Sequence, residues 1–387
     1  RPTVRGVPDL LKTLNIEQIS CLINISPTPE SGLKFKVESF NKDPKKESTM
    51  KLYGGIDLHS NNSVVALTDE QDKVEYLKRL PNDLNVILTV LQPYQESIEG
   101  LVVESTYNWY WLVDGLMEAG YRLHLANTAA ITQYEGLKYT DDTTDARWLA
   151  KLLRLGLLPE GHIYPKEQRP VRDLLRKRMQ LVHQHTDNLL SAQNLMARNR
   201  GCSMSANQVK RLSFADVGRL LEDDNLALAV NATLAVMRSQ ASMIDLLEKA
   251  VKQRIKLRPE FKPLLSVSGI GDILGLTIWL ESGDIHRFKR VGNYASYCRC
   301  VNSTRITNGK KKGQGNRKNG NKYLAWAYVE AANFAVRYNP RIKRYYQRKS
   351  ARTNGIVAIK TVAHKLARAC YYILRDQVTF DVNKAFA

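Results

Sequence analysis

The sequence is poor in three things, and each scarcity excludes something. It has five cysteines in 387 residues: Cys21, Cys202, Cys298, Cys300 and Cys370. An odd, scattered set is no disulfide framework, and reduced thiols in a cytoplasmic protein are the expectation. Cys298 and Cys300 flank a single arginine without a second pair, which argues against a zinc site. Long apolar runs are missing too, since none approaches the ~18 residues a membrane helix needs. Position 1 is Arg and no apolar core is followed by a small-residue cleavage site, so no signal peptide is expected. The third scarcity is acid in the C-terminal part. From Arg287 to Asp376 there are 22 Lys or Arg but only two acids, Glu330 and Asp376, so this stretch carries about the whole net charge of +20. Such a region attracts polyanions, nucleic acid first, whereas a merely soluble surface would mix the two signs.

What is present suffices for two or three packed domains, at 43% hydrophobic residues. Residues 1–49 are polar and turn-rich, with "SPTPESG" and "NKDPKKEST". They are expected to be a poorly ordered extension ahead of Met50, apart from a short helix near 8–16. From 51 the pattern sharpens. "KLYGGIDLHS", "NSVVALTD" and "KVEYLKRL" read as three meandering strands. "PNDLNVILTVLQPY" has helical spacing, and "NWYWLVDGLMEAGY" is a helix ended by Gly120. Between and after them, "SIEGLVVEST" and "RLHLANT" are two more strands. This order predicts an α/β sheet of the ribonuclease-H-like kind over 50–160.

Leu174/Leu175, Leu181/Val182, Asn188/Leu189 and Leu195/Met196 recur every seven residues, a coiled-coil stripe within a helical region spanning 161–258. A second helical run, 219–257, could pair with it antiparallel or across a dimer. A mostly α-helical domain is expected over 259–380. In it, Gly269-Ile270-Gly271 fits a helix-hairpin-helix turn, whose amides can hold a phosphate, or a plain tight turn between core helices. A Gly/Asn/Lys-rich loop follows, then long helices. Trp109, Trp111 and Trp326 are expected to fill core.

Two strands each run apolar into one acid: Asp57 in "GGIDLHS" and Glu104 in "GLVVES". Buried acids are costly unless paired or bound to a cation, so two such strand ends suggest a shared site. Three more acids crowd "KYTDDTTDARWLAKLL". On a helix starting near Asp142, residues 142, 145, 149, 152 and 153 share one face. Asp141, or Thr140, is then the natural N-cap. Capping explains one aspartate but not two on the inward face. Asp142 and Asp145 therefore point to a carboxylate cluster of the hard-oxygen kind that binds magnesium or manganese. Two such ions roughly 4 Å apart can serve phosphodiester chemistry. His59, two residues past Asp57, would face the same way and could contact metal or DNA, although a satisfied core histidine is the plainer reading.

"GIDLHS", "VVEST", "EGLKYTDDTTDARWLA" and "SGIGDILG…GKKKGQGNRKNGNKYLAWA" together resemble the DEDD-type insertion-sequence transposases, the bridge-RNA- or seek-RNA-guided recombinases. The resemblance runs from Met50 to about residue 380. It implies a RuvC-like N-terminal domain, a coiled-coil region and a C-terminal transposase domain. It implies a magnesium-binding tetrad at Asp57, Glu104, Asp142 and Asp145, and a cytoplasmic, nucleoid-associated enzyme. It also implies DNA as substrate, a non-coding guide RNA as partner, and a dimer or tetramer. The family's attacking serine falls on Thr307 in "RITNGKKKG". Thr307 keeps a hydroxyl but adds a methyl that crowds the approach, so Thr307, nearby Ser303, or an impaired copy all stay open. Asn308, Gly309, Gly313 and Gly315 would let the loop approach a phosphate. Lys310, Lys311, Lys312, Arg317 and Lys318 would hold the DNA backbone, and Arg147 would touch a phosphate or steady the acids. Two other readings remain: a structure-selective nuclease in which water attacks, and a non-catalytic nucleic-acid binder.

Overall fold

The computed structural model describes residues 50–131, 141–255, 259–301, 303–313 and 319–387. The extension 1–49, and with it Cys21, lies outside the described residues, as do Gly315, Arg317 and Lys318.

Strands β1 (Leu52–Leu58), β2 (Asn62–Thr68) and β3 (Val74–Pro81) form the antiparallel meander. β4 (Ile98–Glu104) lies parallel to β1, and β5 (Leu123–Ala126) parallel to β4. The two-residue β6 (Glu160–Gly161) closes the sheet in the order β3-β2-β1-β4-β5-β6. This mixed sheet is ribonuclease-H-like, as the strand pattern predicts. β1 is central and buried on both faces, which is why it reads as a nearly continuous apolar run.

Alternation then sorts its residues. Leu52, Ile56 and Leu58 pack with Ile87 of α1 (Leu84–Leu91) and Leu112 of α2 (Tyr110–Glu118). Gly55 and Asp57 face the other side, where α3 (Asp142–Arg154) lies. α3 approaches so closely that a Cβ on Gly55 would stand 1.9 Å from the Ala146 carbonyl oxygen. Trp109 is buried, and Trp111 and Trp326 pack against cores, as expected.

α4 (Arg169–Arg200) and α7 (Asp224–Ile255) are each 32 residues long. Arg178 pairs with Glu248, and Asn188 Nδ2 donates to Gln240 Oε1. Leu189, Ala192 and Met196 pack among Val230, Leu234 and Met237. The pairing left open by the sequence is therefore antiparallel and within one chain. α5 (Ala206–Arg211) and α6 (Phe214–Leu220) sit at the closed end, each started by a Ser capping box.

The C-terminal part packs α8 (Asp272–Ser282), α9 (Val291–Tyr297), α10 (Lys322–Tyr338), α11 (Pro340–Arg352) and α12 (Gly355–Asp376) around one apolar core, with the short α13 (Val382–Ala385) at its edge. The Gly269–Gly271 segment joins a 3-10 stretch, Pro259–Ser266, to α8. Gly269 has φ +94° and abuts the α10 backbone, where a Cβ would stand 2.5 Å from the Ala331 carbonyl. The expected Gly/Asn/Lys loop is instead partly a hairpin, β7 (Arg305–Thr307) and β8 (Lys310–Gly313). Its cause is Asn308-Gly309, with φ 49° and 69°, the tight turn that suits strand twist. The four described cysteines are unpaired. No helix among the described residues is long and apolar enough to cross a membrane.

Candidate active site

Asp57 and Glu104 reach the same point because their strands are parallel neighbours. Ile56 pairs with Val103, so the next residue on each strand is an acid. Asp57 is 2% exposed. Glu104 lies close enough to Asp57 for a carboxyl–carboxylate hydrogen bond, which needs a proton on one of them. Burial first, then that bond and the charges of Asp57 and Asp145, push Glu104 up to about 8.

α3 supplies the rest. Asp141 is its N-cap: the carboxylate accepts from Thr144 N at 2.7 Å and from the Thr143 hydroxyl at 2.8 Å, and these bonds hold it down near about 2. Capping uses Asp141 alone. Asp142 and Asp145 turn toward the sheet. Burial, then Asp57 and Asp142, raise Asp145. Asp142 is lowered, chiefly by a hydrogen bond from Arg79 of β3, with help from His59. The four acids named from the sequence thus converge.

Two further side chains join this cluster: His59, expected to face the same way as Asp57, and Arg79. His59 is no core histidine: Nε2 lies 3.2 Å from Asp57 Oδ2 and 3.2 Å from Asp142 Oδ2. Neither contact is aligned as a hydrogen bond, so His59 Nε2 and Asp57 Oδ2 are buried without a hydrogen-bond partner. The donor atoms of Asp57, His59 and Asp142 all lie within 4.8 Å of one another. Arg79, which also donates to Asn62 Oδ1, had no local signal; its place follows from the β2–β3 register. Asn82 and Asn108 each donate to the His59 carbonyl at 2.9 Å and fix the turn that carries it. Orphaned buried polar atoms amid hard oxygen donors suit a divalent cation.

The hydroxyls and the lysines stand elsewhere in the fold. Thr307 ends β7 and is exposed, facing Lys310 across the hairpin; Ser303 is exposed just before it. Lys310, Lys311 and Lys312 are all exposed on β8. Arg147 is exposed on α3. The structure does not gather these residues into the carboxylate cluster within the contacts it shows.

A ribonuclease-H-like sheet that delivers acids to one point beneath an acid-bearing helix defines the class: an enzyme acting on nucleic acid. A transposase model, that of the DEDD type of IS110, matches residues 54–198, and the model "Transposase IS116/IS110/IS902 family" matches 262–347. No curated protein matches the chain. The chain belongs to the DEDD-type transposases of the IS110 family and is a DNA transposase.

Proposed function

We propose that this transposase cuts and rejoins DNA at the Asp57 cluster with Mg2+ or Mn2+, using a hydroxyl of the β7–β8 hairpin as nucleophile and a guide RNA to choose the target. The observation that carries the reading is the buried Asp57 Oδ2, which lacks a hydrogen bond beside His59 and Asp142 and lies near Glu104 and Asp145. Asp57, Glu104, Asp142 and Asp145 would hold the cation, with His59 Nε2 as a nitrogen donor. A cation bound there supplies Lewis-acid stabilisation of charge on the phosphodiester. The acids orient the phosphate. Glu104, held protonated by burial and then by its acidic neighbours, must release that proton to act as a ligand.

Thr307 Oγ1 then attacks phosphorus. A bond forms between that oxygen and phosphorus, the bridging ester oxygen leaves with a proton, and a protein–DNA ester conserves the bond energy for rejoining. Lys310, Lys311 and Lys312 would hold backbone phosphates, with Arg317 and Lys318 beyond them and Arg147 beside the acids. Guide pairing would read sequence while the protein reads shape and backbone. Residues 50–160 would then be the cleaving module, 161–258 the assembly module and 259–380 the strand-joining module.

Thr307 and the acids are not in contact, which a second copy of the chain would remedy. The α7 face away from α4 supports this. Leu228, Val236, Met243 and Leu246 are exposed there, with Ala232, Ala235 and Ser239 between them at heptad spacing. The replacement of serine by Thr307 favours one other reading, a nuclease in which water attacks. Trapping decides between them: the wild-type protein, denatured during reaction with its flanking DNA, should carry covalently bound DNA that Thr307→Ala lacks. Cleavage without any adduct would establish the nuclease. The guide is tested by sequencing RNA that copurifies from cells carrying the flanking DNA; no specific short RNA would remove that part.

A further inference from the structure

We propose that Tyr107 stacks on an unpaired nucleobase beside the acidic cluster and so positions the strand for cleavage; the inference rests on the reading of that cluster as a DNA-cutting site. The chain passes from Glu104, the end of β4, to Tyr110, the start of α2, through a short loop. That loop is tied down at both ends. Ser105 N donates to the Ala126 carbonyl at 3.2 Å, and Thr106 N to the Glu104 carbonyl at 2.9 Å. The Thr106 hydroxyl donates to Asn108 Oδ1 at 2.8 Å, while Asn108 Nδ2 donates to the His59 carbonyl at 2.9 Å. Tyr107 is therefore flanked on both sides by residues anchored to the site.

Its aromatic neighbours are all engaged. Trp109 is buried under the Arg169 guanidinium, 4.7 Å from its ring centre. The Tyr110 hydroxyl accepts from Arg172 at 2.9 Å, and Trp111 packs on the core. Tyr107 alone is turned outward, 84% exposed, the most exposed large apolar side chain among the described residues. One exposed aromatic is ordinary on a protein surface. One held on a pinned loop next to a carboxylate cluster is pre-organised for a flat partner. A nucleobase offers such a face whatever its identity, and base–aromatic stacking contributes about 1–3 kcal/mol. A paired base in a duplex has no free face, so the partner is a base splayed from its strand.

The test uses the full chain without divalent cations, so that no strand is cut. Single-stranded oligonucleotides carry the fluorescent base 2-aminopurine at successive positions. Binding should quench one position strongly. Tyr107→Ala should abolish that quenching and weaken binding about tenfold, while Tyr107→Phe and Tyr107→Trp preserve both. A DNA strand and an RNA strand of equal sequence separate substrate from guide: quenching on DNA supports the proposal, and quenching on RNA alone overturns it, because the ring would then hold the guide and not the strand that is cut. Equal quenching by wild type and Tyr107→Ala overturns the proposal. So does a Tyr107→Phe protein as weak as Tyr107→Ala, since the hydroxyl rather than the ring would then matter. A Tyr107→Ala protein with altered sedimentation but intact quenching also overturns it, because the ring would then contact protein. Metal-dependent cleavage by the wild type is scored separately; its absence would sink the cluster's assignment and leave the stacking result standing or falling by itself.

Discussion

Asp57 and Glu104 end two neighbouring parallel strands, so their carboxyl groups meet before any helix is added. Asp57→Asn should therefore abolish DNA cleavage and sharply weaken Mn2+ binding by calorimetry while the protein stays folded. Glu104 gives a pH signature. Folded, it keeps its proton up to about pH 8, whereas an unperturbed glutamate loses it near 4.5. The folded state thus binds the extra proton between these values, and stability falls as pH rises from about 4.5 to about 8. Cation binding favours the ionised form, so saturating Mg2+ should flatten that slope in denaturant melts and release protons into weak buffer. An unchanged slope would mean that Glu104 is not a ligand. At the hairpin, Thr307→Ser should keep or raise covalent adduct formation, because it removes one methyl from the carbon that bears the attacking oxygen.

α3 is the element on which the site depends, since it carries two of the four acids. Its N-cap residue and its metal-facing residues are separate, and substitution should separate them. Asp141→Ala should lower the melting temperature and leave Mn2+ binding nearly intact, whereas Asp145→Asn should do the reverse. Gly55 decides where α3 lies. Gly55→Ala places a Cβ against the Ala146 carbonyl and the Ala150 amide, so the helix must lift. The expected cost is about 1–3 kcal/mol, as for overpacking elsewhere, with cation affinity falling too. Mn2+ titration of the folded variant checks the second effect. Neither glycine that sets a helix position, Gly55 or Gly269, announces its role in the sequence. Each is required by a backbone hundreds of atoms away along the chain, and no local pattern encodes that approach.

At the scale of the whole molecule, a small network joins the helix pair to the C-terminal core. Arg176 holds buried Glu281 with two hydrogen bonds, at 2.5 and 2.8 Å. Asn321 Nδ2 donates to the same carboxylate at 2.7 Å, and the Tyr164 hydroxyl donates to the Glu281 carbonyl. Arg176→Ala would leave Glu281 buried without its cation, a loss of about 3–5 kcal/mol for a buried pair broken on one side; denaturant unfolding measures it. The outer face of α7 bears on assembly. Replacing Leu228 and Leu246 together with Glu should leave the far-ultraviolet circular dichroism unchanged and shift sedimentation toward a single chain. No shift would show that this face is not where copies meet.

The sequence by itself determined the strand meander, the heptad stripe, the basic C-terminal part and the acid that closes each of two strands. These are written in residues near one another: an alternation of two, a repeat of seven, an acid closing each of two strands. Tertiary structure alone decided that α4 and α7 pair within one chain, since the same apolar stripe would serve a partner chain equally well. It also decided that His59 and Arg79 join the acids and that the 269–271 turn serves α10 packing. Such choices depend on which distant surfaces meet and how closely, and a buried backbone contact leaves no period in the text of the chain.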